Sequence, residues 1–486
     1  MVAAWLAMLA AIVVTLAGFA HWQVRHELDV RAQQRILAST SELPITRWSM
    51  TTADDIVAGR VFGDADTRFG EAGLHVTSRG VAVEFGIRLD GPLDLARFGL
   101  VSVAVDSDVG SRFQWSVYFQ DSTTPCRSEP LTVVDGRIVS RLDQIAWQCK
   151  LPSRPAAISL RIVVDATRGA SVTFRDFSLS PVVALQLPEP DSIPLVAPGD
   201  DLVNAESRLD TLPNSIQPLV IVQPEWRDAA TLRLREDLRS AVPAVVAISG
   251  AGVANASPAS KSLTFNATWL LLALLVVAWL RPPKSPRWRV VARVGAALLM
   301  PLWLSVGLRL GTSFSFVDCS FVAAGVIYLG VLIWQRGQPW KWIGKPAAWL
   351  IPTASVAMTL VLAMLIPREN GPEVPDSIAA LRYLGWAAIQ QMIVLRIVAD
   401  RIAGLGWSAK WVSLSAASAF ALLHAPNQAL MLLTLGGGLL WNWNWQRHRA
   451  LLPNVVAHAL CGLIASAAID RSWLWSAEIG SRFFAG

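Results

Sequence analysis

The pattern of apolar and polar positions changes twice along the chain. Val2 to Ala20 is a nearly unbroken apolar run that ends near His21-Trp22. A run of that length is enough for a helix to cross a bilayer. From about residue 24 to 265 apolar and polar residues mix as in a soluble domain. From 265 onward long apolar runs return: 265–281, 290–308, 315–334, 347–366, 379–400, 411–425, 427–445 and 450–469. The N-terminal run and these eight predict about nine transmembrane helices.

Within the middle region the period is two. Leu74-His-Val-Thr, Val81 to Ile87, Val101 to Val105, Phe113 to Phe119, Ile158 to Val164 and Val172 to Leu179 alternate between turn residues. Short, evenly spaced strands of this kind predict a β-sandwich over residues 40–182. Its closing run, Phe174-Arg-Asp-Phe-Ser-Leu-Ser, resembles the last strand of a jelly-roll, carbohydrate-binding-like module. Residues 183–217, rich in Pro, Asp and Ser, read as a linker. A small α/β segment follows, with strands at Leu219-Val-Ile-Val and Ala244 to Ser249 around a charged helix from Asp228 to Ser240. Pro-, Ala-, Ser- and Gly-rich sequence over 250–262 then leads into the membrane. The expected organisation is an anchor (1–23), a β-sandwich (40–182), a linker with the α/β segment (183–264), transmembrane helices (265–345) and a last helical core (346–472).

Composition supports a membrane protein. Of 486 residues, 53% are apolar and only 16% charged, against about 25% charged in soluble domains. The net charge of +6 would suit nucleic acid, but the basic residues sit in short loops between apolar runs, where they report topology. No nucleic-acid partner is expected. The loops with Arg281, Lys284, Arg287 and Arg289, with Arg336, Lys341 and Lys345, with Arg401 and Lys410, and with Arg447 and Arg449 fall on alternate connections. They are expected on the cytoplasmic side, with residues 24–265 extracytoplasmic and Pro367–Glu373 outside. Arg25, Arg31 and Arg35 follow the first run on the outer side and are outvoted. No Lys or Arg precedes that run and no small-residue cleavage site follows it, so it reads as an uncleaved anchor, with a signal peptide as the lesser reading.

Of the four cysteines, Cys126 and Cys149 lie in the β region. An extracytoplasmic location permits a disulfide, and a loop of this length would contribute about 3 kcal/mol in the chain-entropy model. Two buried thiols are the alternative. Cys319 and Cys461 lie in apolar runs and read as packing residues.

Polar side chains inside a bilayer are costly, which makes each a functional candidate. His424 and His458 are the two of six histidines that fall in apolar runs; His448 lies in a basic loop. Phe420 and His424 are four apart, as are Asn454 and His458, so each pair shares a helical face. Pro426 should end or kink the helix just after His424 and free backbone polar groups beside it. The preceding run carries Gln390, Gln391 and Arg396, and Asn427 follows His424. The plain alternative is that these amides and imidazoles are interhelical hydrogen-bond glue. Cys461 with both histidines would be a zinc site one ligand richer than the pair alone, but no metal or other cofactor is expected. Asp318 is an isolated charge without an assigned role.

The order and spacing resemble the CAAX-type and bacteriocin-processing intramembrane proteases. Their motifs are Glu-Glu-x-x-x-Arg, Phe-x-x-x-His and a final His-x-x-x-Asn. This chain has Phe420-x-x-x-His424, His458 in Val-Ala-His-Ala-Leu, and Gly436 to Gly438 between them. The resemblance covers about 345–470. It departs at Gln391-Met392-x-x-x-Arg396 in place of Glu-Glu-x-x-x-Arg, and at Gly462 in place of Asn. The resemblance implies that a Glu and a His activate water while His and Asn stabilise the oxyanion. Gln cannot take a proton, and no Glu lies between Glu373 and Glu478. Activity would then need His424 or His458 as base, Gln391 to position water or the scissile carbonyl, and Arg396 as a structural or charge partner.

Two functions follow. One is a CAAX-type intramembrane endopeptidase of a bacterial inner membrane that cleaves membrane-anchored or exported proteins. Its site would be His424, His458, Gln391, Arg396, Gln390 and Asn427. The other is an inactive relative, a membrane scaffold whose β-sandwich binds a glycan or a protein in the periplasm. A transporter would show internal repeats, and the chain has none that can be read.

Overall fold

The structure, a computed structural model, describes residues 2–41, 43–80, 82–89, 91–107, 111–119, 124–151, 156–165, 167–223, 225–249, 261–306, 316–335, 339–369 and 371–484. The expected Gly-rich connection at 250–260, Arg336, and the ends of two expected apolar spans between 307 and 315 lie outside the described residues. The chain separates into two compact units. One comprises Glu27–Pro224 and Leu234–Ala256; the other Met1–His26, Glu225–Arg233 and Ser257–Gly486.

Helix α1 runs from Val2 to Thr40, twenty residues past the apolar run. Residues 21–40 contain neither Pro nor Gly, so nothing in the backbone stops the helix. An i,i+4 pair between Glu27 and Arg31, 2.8 Å, supports the extension.

The first unit holds two antiparallel sheets. Their strands are β1 (Thr46–Trp48), β2 (Ala65–Gly70), β3 (Gly73–Ser78), β4 (Ala82–Ile87), β5 (Leu93–Asp94), β6 (Leu100–Ser107), β7 (Arg112–Phe119), β8 (Cys126–Arg127), β9 (Arg137–Arg141), β10 (Ala156–Asp165) and β11 (Ser171–Ser180). One sheet has the order β2-β3-β11-β6-β9 with β1 added on β11; the other is β4-β10-β7-β8 with β5 added on β10. All six runs read from alternation are strands. β1, β2, β5, β8 and β9 escaped that reading because they are short or half exposed, and alternation over two or three residues carries no signal. Side chains of both sheets close on one core around Phe85, Trp115, Ile162, Phe174 and Phe177. The aromatic rings meet edge to face, Phe85–Phe174 at 4.9 Å and Trp115–Phe177 at 5.8 Å between centroids. That is the arrangement their quadrupoles favour. Cys126 and Cys149 form a disulfide.

Beyond the sandwich, β12 (Leu195–Val196), α2 (Val203–Asp210), β13 (Leu219–Val222), α3 (Asp228–Ala241) and β14 (Val246–Ser249) follow. The three strands form a parallel sheet in the order β12-β13-β14. The segment read as a linker therefore contributes a strand and a helix. Val196, Ala205 and Leu209 from it pack with Val220 and Leu238; Pro and Asp around them mask the helical spacing.

The second unit is helical: α4 (Lys261–Leu280), α5 (Pro286–Val306), α6 (Phe316–Trp334), α7 (Leu350–Leu365), α8 (Ser377–Gln391), α9 (Asp400–Ala403), α10 (Ala409–Leu422), α11 (Gln428–His448) and α12 (Leu452–Ala468). A π-helical stretch, Met392–Ala399, joins α8 to α9 without a break. Among the described residues four helices are long and apolar enough to cross a membrane: Val2–Thr40, Phe316–Trp334, Pro346–Leu365 and Ser377–Ala403. Leu16 and Ala20 of α1 pack on Ala417 and Ala421 of α10. Gly438 of α11 lies so close to α10 that a Cβ there would come within 3.2 Å of Ala417. Gly438 thus lets α10 and α11 approach closely, as small residues do in membrane bundles.

Candidate active site

Gln391 is the last residue of α8, where the regular helix gives way to the π-helical stretch. Such wider turns recur at functional sites. Its side chain is buried, and its amide Nε2 lies 3.2 Å from Nδ1 of His458 in the middle of α12. His458 is 3% exposed. Phe420 stands edge-on to it at 5.2 Å between ring centroids, and Trp441 lies against it at 5.1 Å.

His424 does not sit inside a helical span as the apolar run predicts. α10 ends at Leu422, and His424 occupies the turn before Gln428. The last carbonyls of a helix have no partner within it, and one of them takes the imidazole: Nδ1 of His424 lies 2.9 Å from the Phe420 carbonyl. The same Phe420 ring is 4.8 Å from the His424 ring. Phe420 therefore touches both histidines.

These bonds assign the tautomers. A carbonyl only accepts, so His424 must carry its proton on Nδ1, which leaves the lone pair on Nε2. An amide nitrogen only donates, so His458 must accept at Nδ1 and carry its proton on Nε2. The two imidazoles are held in opposite tautomers, one offering a base and the other a donor. Gln391 Oε1, the other end of the orienting amide, is buried and has no hydrogen-bond partner among the described residues.

The other expected site residues are placed differently. Asn427 caps α11: its Oδ1 accepts from Leu430 N at 3.1 Å, and its Nδ2 donates to Ser476 O at 2.6 Å. Both ends of its amide are in structural use. Arg396 donates to Asp400 at 2.9 Å, and Asp400 also accepts from Trp445 Nε1 at 2.8 Å and from both terminal nitrogens of Arg449. Arg396 thus belongs to a charge cluster on Asp400. Gln390 is buried beside Gln391 and bonds to neither histidine. Asn454 is helix glue: it accepts from Asn444 at 3.1 Å and donates to Ala450 O at 3.0 Å. Cys461 lies 3.8 Å from Ser355 Oγ, which in turn accepts from Trp441 Nε1 at 3.1 Å. Among the described residues no three His, Cys, Asp or Glu side chains gather as metal ligands.

The sequence reading passed over Tyr383. Its ring stands edge-on to His458 at 6.1 Å, and its hydroxyl fills the space beside Gly462. The one available signal was Gly462 itself, a glycine where the resembled motif carries a side chain.

Residues 378–464 match the family model described as type II CAAX prenyl endopeptidase Rce1-like. A solved structure that shares features with this chain is that of Clostridium thermocellum endo-1,4-beta-D-xylanase 10B, its CBM22-1 and GH10 modules complexed with xylohexaose. That similarity has 13% identity, covers 48% of this chain and 54% of that one, and has a TM-score of 0.21. This chain thus spans about half the length of that structure. Comparison with curated proteins gave no match. The matched segment contains Tyr383, Gln391, Arg396, His424 and His458. Over residues 378–464, the C-terminal part of the chain is similar to the Rce1-like CAAX prenyl endopeptidases.

Proposed function

We propose that this protein is an intramembrane endopeptidase in which two histidines of opposite tautomer replace the carboxylate-dependent water activation of its relatives. His424 Nε2 takes a proton from a water molecule as the water oxygen attacks the scissile carbonyl. Gln391 Oε1 accepts the water's second hydrogen and orients its lone pair. His458 Nε2–H donates to the oxyanion as the carbonyl becomes tetrahedral. His424 then passes its proton to the departing amine, and the carbon–nitrogen bond breaks. A positioned general base contributes about 10²–10⁴-fold and one oxyanion donor about 10²–10³-fold. The observation that carries this reading is the pair of hydrogen bonds, His424 to Phe420 O and Gln391 to His458, that hold the imidazoles oppositely.

The loop charges support nine spans, with residues 24–265 on the extracytoplasmic side of a bacterial inner membrane. Substrates are then membrane-anchored or exported proteins, and the β-sandwich recruits them or a glycan. The test compares protein termini in cells lacking the protein, cells with it, and cells with His424→Ala at matched abundance. Termini that need His424 support the endopeptidase.

The second reading is an inactive scaffold. It is favoured by one observation: among the described residues no carboxylate bonds to either histidine. Identical termini in all three samples would establish it, and a gain of cleavage in Gln391→Glu would show that the missing carboxylate is the cause.

A further inference from the structure

Gly462 follows His458 by one helical turn and so shares its face of α12. A Cβ built on Gly462 would lie 2.0 Å from the Tyr383 hydroxyl and 2.6 Å from the ring carbons Cε1 and Cζ. The phenol therefore occupies the volume that a side chain at 462 would fill. Any residue larger than glycine there forces the ring out. Tyr383 reaches this point from α8, the helix that also carries Gln391. The pairings Tyr383 with Gly462 and Gln391 with His458 run in opposite directions, so α8 and α12 are antiparallel and present these four residues along one seam.

The hydroxyl makes no hydrogen bond within the chain among the described residues, although the ring is packed against His458. The hydroxyl is not among the fully buried polar atoms, so a group from outside the chain can reach it. A donor with no protein acceptor, one turn along the face that carries His458, is aimed at something the chain does not supply.

We infer that Tyr383 is a catalytic residue, its hydroxyl the second hydrogen-bond donor to the oxyanion beside His458 Nε2–H, and that Gly462 is required because it leaves room for it. The inference rests on the endopeptidase reading. Two donors from different helices fix the carbonyl oxygen in direction as well as in charge, which one imidazole alone does not.

The experiment uses the full chain, purified in lipid nanodiscs, and a quenched-fluorescent peptide spanning a terminus that depends on His424 in cells. Tyr383→Phe keeps the ring and removes only the hydroxyl. It should lower kcat about 10²-fold with KM and the thermal midpoint unchanged. Gly462→Ala should lose activity to a similar extent by displacing the ring. The double variant Tyr383→Ala with Gly462→Asn, which puts an amide N–H into the vacated volume, should recover part of the kcat that Tyr383→Ala alone loses. If Tyr383→Phe cleaves at the wild-type rate while His424→Ala does not cleave, Tyr383 is a packing residue and this inference falls alone. If Tyr383→Phe changes KM and stability but not kcat, it also falls. If no terminus depends on His424, the endopeptidase reading falls and takes this one with it.

Discussion

The sandwich and the helical unit bury opposite things. Inside the sandwich the core is a continuous apolar set, Phe85, Trp115, Phe174 and Phe177 among it. Its buried polar side chains are mainly serines, plus Arg97, which is satisfied by Asp94 and by the carbonyls of Leu212, Pro213 and Ile216. The helical unit exposes Trp269, Leu270, Val326, Met364 and Leu381, and buries Gln391, His424, Asn442, Asn444, Asn454 and His458. In water, apolar surface drives the chain inward and polar groups are left outside. In a bilayer that force between helices vanishes, and packing and hydrogen bonds take over. A buried Phe in the sandwich therefore reports stability, whereas a buried His in the helical unit asks for a reason.

That contrast can be broken most sharply at His424. His424→Ala should abolish cleavage, by about 10³-fold or more, while thermal unfolding shifts little. A large loss of stability with cleavage retained would make the histidine ordinary glue and erase the distinction. Phe174→Ala should do the reverse. Truncating a fully buried aromatic costs about 3–5 kcal/mol, read by denaturant unfolding of the sandwich, with cleavage rates for a soluble peptide unaltered. Replacing Cys126 and Cys149 by Ser should remove about 3 kcal/mol from the same transition. The smallest effect should come from Asn454→Ala, which breaks interhelical bonds at about 1 kcal/mol and leaves kcat within about twofold of wild type. A kcat loss at Asn454 as large as that at His424 would mean that glue and chemistry are not separable in this bundle.

Legibility followed the same divide. In the sandwich, period-two alternation exposed the long central strands, because a half-buried strand must alternate. Short edge strands and α2 stayed hidden, since two or three residues carry no period and Pro-rich sequence masks a helix of only eight residues. In the helical unit, polar residues in apolar runs pointed to Gln391, His424 and His458; Gln391 bonds to His458, and Phe420 packs on both histidines. A cap and an oxyanion donor need the same amide, so the sequence alone does not show that Asn427 bonds to Leu430 and Ser476. Tyr383 was invisible because what gives it meaning is Gly462, 79 positions away in a different helix. The tautomers were equally out of reach, since they depend on which carbonyl at the end of α10 the imidazole meets.

The Asp400 cluster has a consequence for how the chain enters the membrane. Arg449 arrives 49 residues after Asp400, with α10 and α11 between them. Until then the carboxylate would be an unpaired charge at the end of a nascent span, an expensive state in lipid. Arg396 removes that difficulty, because an i,i+4 partner is present as soon as the helix itself forms. The early pair lets α8, the π-helical stretch and α9 insert with the Asp400 carboxylate already matched by a charge of its own helix. Arg449 and Trp445 then dock onto a carboxylate already in place, so the final helices assemble against a preset anchor point.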